Sequence, residues 1–255
     1  MVLSFLVLSC GNRNRSDFLP AEESFRNAMV QFEKGKYLDA SESLTIITLN
    51  YSGSSIIDSA QYYLGECHYL MKEYIIAASE YERLMNQFPS SDLVDDAKYK
   101  IGLCYFNLSP HYGLEQEYSQ RCIDEFQEFT EYYRDSELIP EVLAKISEVR
   151  TKIARKTYKS GELYFKMHDY ESAIIYFDLV LENYYDTGFA AEALFKKGAS
   201  FLKMKNRSEA ETAFNLLEEK YPDSTSIPKI ARLLEKDDKR LLKEMKEALE
   251  DDSTQ

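Results

Sequence analysis

Few residues capable of covalent chemistry stand at the spacings such chemistry needs. His68, His111 and His168 are scattered, and none has a second histidine three or four residues away. There is no H-E-x-x-H, C-x-x-C or G-x-S-x-G, and no glycine-rich phosphate loop. Of the thiols after Cys10, Cys67 and Cys104 lie on the apolar side of predicted helices. Cys122 stands where a packing alanine is expected, so all three read as small buried hydrophobes. Carboxylates are abundant but fall where helix surfaces need solvation. The expectation is a protein with no catalytic residues, no cofactor and no metal. What remains is non-covalent chemistry, and the residues that recur at regular spacing are aromatic.

Phe25, Tyr62, Tyr99, Tyr158 and Phe195 form one row. Phe32, Tyr69, Phe106, Phe165 and Leu202 form a second, each seven residues after its counterpart. Seven residues is nearly two helical turns, so both rows share one face of each helix. For the first three copies two readings stand side by side. Phe25, Phe32, Tyr62, Tyr69, Tyr99 and Phe106 line a peptide-binding groove, with Glu66 placed to orient a peptide backbone; alternatively, the rings serve packing. For the last two copies packing is the expectation.

Between the rows stand the residues that position them. Ala28, Gly65, Gly102, Gly161 and Gly198 recur at steps of 37, 37, 59 and 37. Twelve residues after four of them come Ala40, Ala77, Ala173 and Ala210, and four further on Leu44, Tyr81, Phe177 and Phe214. Each copy reads as two short amphipathic helices, the small residues letting them approach. This spacing resembles tetratricopeptide repeats lengthened by three residues. Such a pair cannot bury its apolar faces alone, so the copies must stack. In the third copy Cys122, Phe126 and Phe129 fall into register after eight extra residues around Ser109–Tyr118. A further fourteen before Gly161 extend a helix within Glu141–Lys166 by roughly 21 Å.

A net charge of −13 with no basic stripe argues against nucleic acid. No stretch after Cys10 approaches the ~18 apolar residues of a membrane span. The start, MVLSFLVLSC, ends in Val7-Leu8-Ser9-Cys10-Gly11, which resembles a bacterial lipobox, although no Lys or Arg precedes the apolar run. Residues 1–9 are then a signal segment removed before Cys10, which carries the lipid, and 10–20 a lipid-anchored tether. Residues 21–138 hold repeats one to three. Residues 139–250 hold the long helix, repeats four and five and a capping helix, and 251–255 are a disordered tail. The amphipathic stretch Ile227–Asp251 reads as that cap, with a docking helix for a partner as the other reading.

These features together resemble the BamD family, the lipid-anchored tetratricopeptide subunit of the outer-membrane barrel-assembly machinery. Local wording agrees in AEESFRNAMVQFEKGKYLDASESL, FPSSDLVDDAKYKIGLCYFNL and IDEFQEFTEYYRDSE, while Arg134 and Tyr185 replace the repeat proline seen at Pro89 and Pro222. The resemblance implies an all-α, right-handed superhelix of five helix pairs, with a long helix opening the fourth repeat. It implies anchoring at the periplasmic face of the outer membrane. It implies docking to the barrel-forming subunit through the C-terminal repeats, and capture of unfolded outer-membrane protein C-termini by the N-terminal ones. A cell-envelope scaffold lipoprotein acting in peptidoglycan coordination is the alternative.

Overall fold

A computed structural model describes residues 19–252; the signal segment, Cys10, most of the tether and residues 253–255 lie outside the described residues. Among the described residues are eleven helices and no strand. Ten form five pairs: α1 (Ala21–Glu33) with α2 (Tyr37–Asn50), α3 (Ile57–Leu70) with α4 (Tyr74–Gln87), α5 (Val94–Leu108) with α6 (Glu117–Tyr132), α7 (Ile139–Lys166) with α8 (Tyr170–Asn183), and α9 (Phe189–Lys203) with α10 (Arg207–Lys220). The last, α11 (Ile227–Asp252), has no partner helix after it among the described residues. The chain divides into two compact units, one reaching Lys98 and the other starting at Tyr99.

In the first unit Ala28, Ala40, Leu44 and Ile47 are buried in one cluster with Ala60, Leu64 and Cys67. Gly65 faces Tyr81 so closely that a β-carbon there would lie 2.6 Å from the ring's Cε1. Any larger residue would force α3 and α4 apart. The second unit repeats the contact, with Gly102 against Phe126, Gly161 against Phe177 and Gly198 against Phe214, at 2.3, 2.6 and 2.4 Å. Phe126 follows its glycine by 24 residues where the other rings follow by 16, which places eight extra residues between α5 and α6.

Both connections within the repeat unit have recurrent local chemistry. Seven residues after the small residue the chain turns through positive φ, at Gly35 (73°), Lys72 (64°), His168 (65°) and Lys205 (62°). Only Gly35 adopts this left-handed conformation without a side-chain penalty. The second helices end on Tyr51, Phe88, Tyr133, Tyr184 and Tyr221, where φ opens to between −117° and −135°. Three residues later the N–H of Ser54, Ser91, Ser136, Thr187 and Ser224 donates to the carbonyl of that aromatic at 2.9–3.0 Å. The next first helix starts within three residues.

The 28-residue α7 is about 42 Å long. Pro140 in its first turn suits a position that needs no amide donor. Its extension buries Val142, Ile146, Val149 and Ile153, spaced four, three and four apart, as a stripe on one face. Ile227 follows Gly198 by 29 residues, as Val94 follows Gly65, so α11 stands where a sixth first helix would begin. Its buried Asp237 occupies the register position of Cys67, Cys104 and Ser200.

Candidate functional site

Each aromatic row meets a fixed partner. In the first unit Tyr62 packs on Tyr81 with ring centroids 5.6 Å apart. In the second, Tyr99 meets Phe126 at 6.0 Å, Tyr158 meets Phe177 at 5.8 Å and Phe195 meets Phe214 at 6.1 Å. These are the rings that oppose the repeat glycines, so this row wedges the paired helices. The second row meets the opening tyrosine of the following helix edge-on: Phe32 with Tyr37, Tyr69 with Tyr74 and Phe165 with Tyr170, at 5.4–5.5 Å. Such offset pairs add about 0.5–1.5 kcal/mol beyond area burial.

In the first unit packing does not use up their surface. Phe25, Phe32, Tyr62 and Tyr69 remain half-buried in the first unit, where Tyr63 sits 6.1 Å from Phe25 and 5.3 Å from Phe32. Glu66 accepts the Tyr81 hydroxyl in a short hydrogen bond. Burial, and then the Glu66 carboxylate, push the Tyr62 phenol upward, so it stays a neutral donor at any physiological pH. In the second unit Tyr99 is only 8% exposed, and its hydroxyl donates to Glu141 Oε1 at 2.6 Å. Phe106 is half-buried beneath the Lys145 ammonium, 4.5 Å from its ring centre. Lys145 in turn pairs with Glu141 at 3.6 Å, so α7 links both site residues of this unit.

The thiols behave as the sequence suggests. Cys67, Cys104 and Cys122 are buried, and none is in a disulfide among the described residues. Burial, helped by Glu66, holds Cys67 up at about 12, and burial holds Cys122 at about 12, so neither offers a thiolate near neutrality. His68 Nδ1 lies 2.7 Å from Glu73, which closes the α3–α4 turn locally. No group of three or more metal-ligating side chains occurs among the described residues.

Two features escape sequence reading. Tyr63 joins the Phe25 and Phe32 rings, yet its register counterparts Lys100, Lys159 and Lys196 carry no aromatic, so no row announces it. At the other end of the chain, buried Asp237 pairs with Arg240 and, at 3.4 Å, with Arg207. Arg240 also donates to the Leu202 carbonyl at 3.0 Å, fixing α11 on the end of α9. In the sequence these residues look like an ordinary solvated charge run.

Five helix pairs, each closed by a small residue against a bulky one, define a helical repeat protein of the tetratricopeptide class. Residues 19–216 match the YfiO family, described as outer membrane lipoprotein. The chain belongs to that family. It is also similar to an outer membrane protein assembly factor BamD from Rickettsia prowazekii (strain Madrid E), 22% identical over 226 residues, covering 88% of this chain and 90% of the relative. Among solved structures it is similar to the P58(IPK) TPR domain (TM-score 0.44, 19% identity, 85% of this chain and 56% of that one). Another is the TPR2AB domain of yeast Sti1 in complex with pHSP90 (TM-score 0.42, 15% identity, 81% and 80%). The helix pairs themselves, rather than these distant likenesses, define the fold. No helix among the described residues is long and apolar enough to cross a membrane.

Proposed function

We propose that this protein is a non-enzymatic, lipid-anchored subunit of the outer-membrane β-barrel assembly machinery. Cys10 carries the anchor after loss of residues 1–9, and the helical repeats face the periplasm. They bind the barrel-forming subunit and the unfolded C-termini of outer-membrane proteins. The observation that carries this reading is the family match across residues 19–216, joined by a BamD relative aligned along nearly its whole length.

For client binding, the first unit offers half-buried rings at Phe25, Phe32, Tyr62 and Tyr69 with the Glu66 carboxylate, and the second offers Phe106, two turns along α5 from the buried Tyr99. Strands of outer-membrane barrels alternate apolar and polar residues, so an extended segment can set every second side chain against such rings. Burying one aromatic is worth up to about 3 kcal/mol, but ordering a flexible peptide removes much of it, so micromolar affinity is expected. Tyr69→Ala and Tyr62→Ala should each weaken binding of a barrel C-terminal peptide by about 1–2 kcal/mol. Tyr62 also supports Tyr81, so its truncation should lower the melting temperature as well, and Tyr69 is the cleaner probe. Peptide titration beside circular dichroism melts distinguishes the roles. A large fall in melting temperature with unchanged affinity in the folded fraction would make both tyrosines packing residues alone.

A further inference from the structure

Two helices are much longer than the 13–15 residues of the other first helices, α7 with 28 and α11 with 26. The extra turns of α7 bury an apolar stripe, whereas those of α11 do not. The core-facing stripe of α11 runs through Ile230, Leu234 and Asp237, spaced four and three apart. Arg240 then meets the last turn of α9 at the Leu202 carbonyl, and Glu244 meets Lys205 in the following turn at 3.0 Å. From Arg240 the helix runs on to Asp252, twelve residues or about 18 Å. Leu241 and Met245 continue the stripe and Leu242 lies beside them, yet among the described residues they stay 38%, 62% and 59% exposed. A helix end this short is marginal in water unless its apolar face is covered.

The missing cover is not a second helix of the repeat kind. Glu235 stands at the register position of Gly65, Gly102 and Gly198, where close approach of a paired helix needs a small residue.

We propose that α11 pairs antiparallel with the α11 of a second copy of this chain, through Leu241, Leu242 and Met245. Charge order identifies the occupant. Residues 239–246 carry four cations and one carboxylate, and 247–252 carry four carboxylates and no cation. Turned about a two-fold axis at Met245, such a helix complements itself. Lys243 then stands opposite Glu247 of the second copy, and Lys246 opposite Glu244 of the second copy, each twice by symmetry. Parallel pairing would set each charge against its own kind. Within one chain Lys243 already lies 3.5 Å from Glu247, an exposed pair that is exchanged across the axis at little cost. Segments this short bury less than the about 1,200 Å² at which standard interfaces begin, so a weak dimer is expected, with a dissociation constant of about 10–100 µM.

The test is sedimentation equilibrium on the chain from residue 10 onward carrying Cys10→Ser, so that no lipid drives association and no other protein is present. The parent should dimerise reversibly in the stated range. Leu242→Glu and Met245→Glu should each weaken the dimer at least about tenfold. Neither should move the melting temperature of dilute protein, because both side chains are exposed. Lys243→Glu and Glu247→Lys should each weaken self-association, and the two variants mixed should associate with each other more tightly than either does with itself. A monomer at every concentration up to about 1 mM, or a dimer indifferent to both Leu242→Glu and Met245→Glu, would overturn the proposal. So would a monomeric chain whose Met245→Glu variant loses a barrel-forming subunit on purification from outer membranes, since that subunit would then be the occupant.

Discussion

Gly102→Leu is expected to cost about 3 kcal/mol or more of stability, since overpacking at a tight contact costs about 1–3 kcal/mol and sometimes more. A β-carbon at this position already lies 2.3 Å from Phe126 Cε1, and Phe126 is fully buried with no room to swing away. Intrinsic propensity pulls the other way, because a non-glycine residue in mid-helix gains up to about 1 kcal/mol. The clash wins. Thermal melts should show a loss of roughly 6–12 °C, taking about 2–4 °C per kcal/mol for a chain of this size. Gly53→Ala is the control, since nothing lies within 4 Å of its added carbon. The first repeat indicates how to relieve the clash: there the small residue is Ala28 and its opposing residue is Leu44, not an aromatic. Gly102→Ala with Phe126→Leu should therefore recover most of the loss that Gly102→Ala causes alone. Failure of this pairing would mean the contact does not limit helix approach.

Asp237→Ala should release α11. Breaking a buried ion pair by removing one partner costs about 3–5 kcal/mol, because the remaining charge stays buried. Here Arg207 and Arg240 are each about one-third exposed, and both keep other acids: Asp238 and Glu211 at 2.7 Å for Arg207, and Glu244 at 3.8 Å for Arg240. The cost should therefore fall at or below the bottom of that range, about 2–3 kcal/mol. Hydrogen exchange should report it as faster opening of α11 while α7 and α8 keep their protection. Asp238→Ala removes an exposed partner and should cost no more than about 1 kcal/mol. Equal effects of the two substitutions would show that burial of Asp237 is not what holds the helix.

The repeat ladder was legible because each rung is a pairwise contact at fixed spacing. Gly65 with Tyr81 is marked by a separation of 16, and the displaced pair of Gly102 with Phe126 marks the eight-residue insertion in the sequence itself. The aromatic rows were only half legible. Seven-residue spacing assigns Tyr62 and Tyr69 to one helix face, but what touches that face depends on Tyr81 and Tyr74, which lie on the following helix. The hinge formed by Tyr51 and Ser54 and repeated to Tyr221 and Ser224 is hard to see in the sequence, although it is periodic. Its members vary between Tyr and Phe and between Ser and Thr, and the third copy is shifted by the insertion. Asp237 could not be singled out at all. Its distinction lies in which neighbours pair with it, and a charge in sequence carries no mark of its partner.

Affinity purification of the full-length protein from detergent-solubilised outer membranes tests the assembly role most directly. A large barrel-forming subunit should co-purify in near-stoichiometric amount and remain bound through a salt wash. Recovery of peptidoglycan-synthesis proteins in its place, with no barrel-forming subunit, would contradict the assembly role and make this a scaffold of the cell wall.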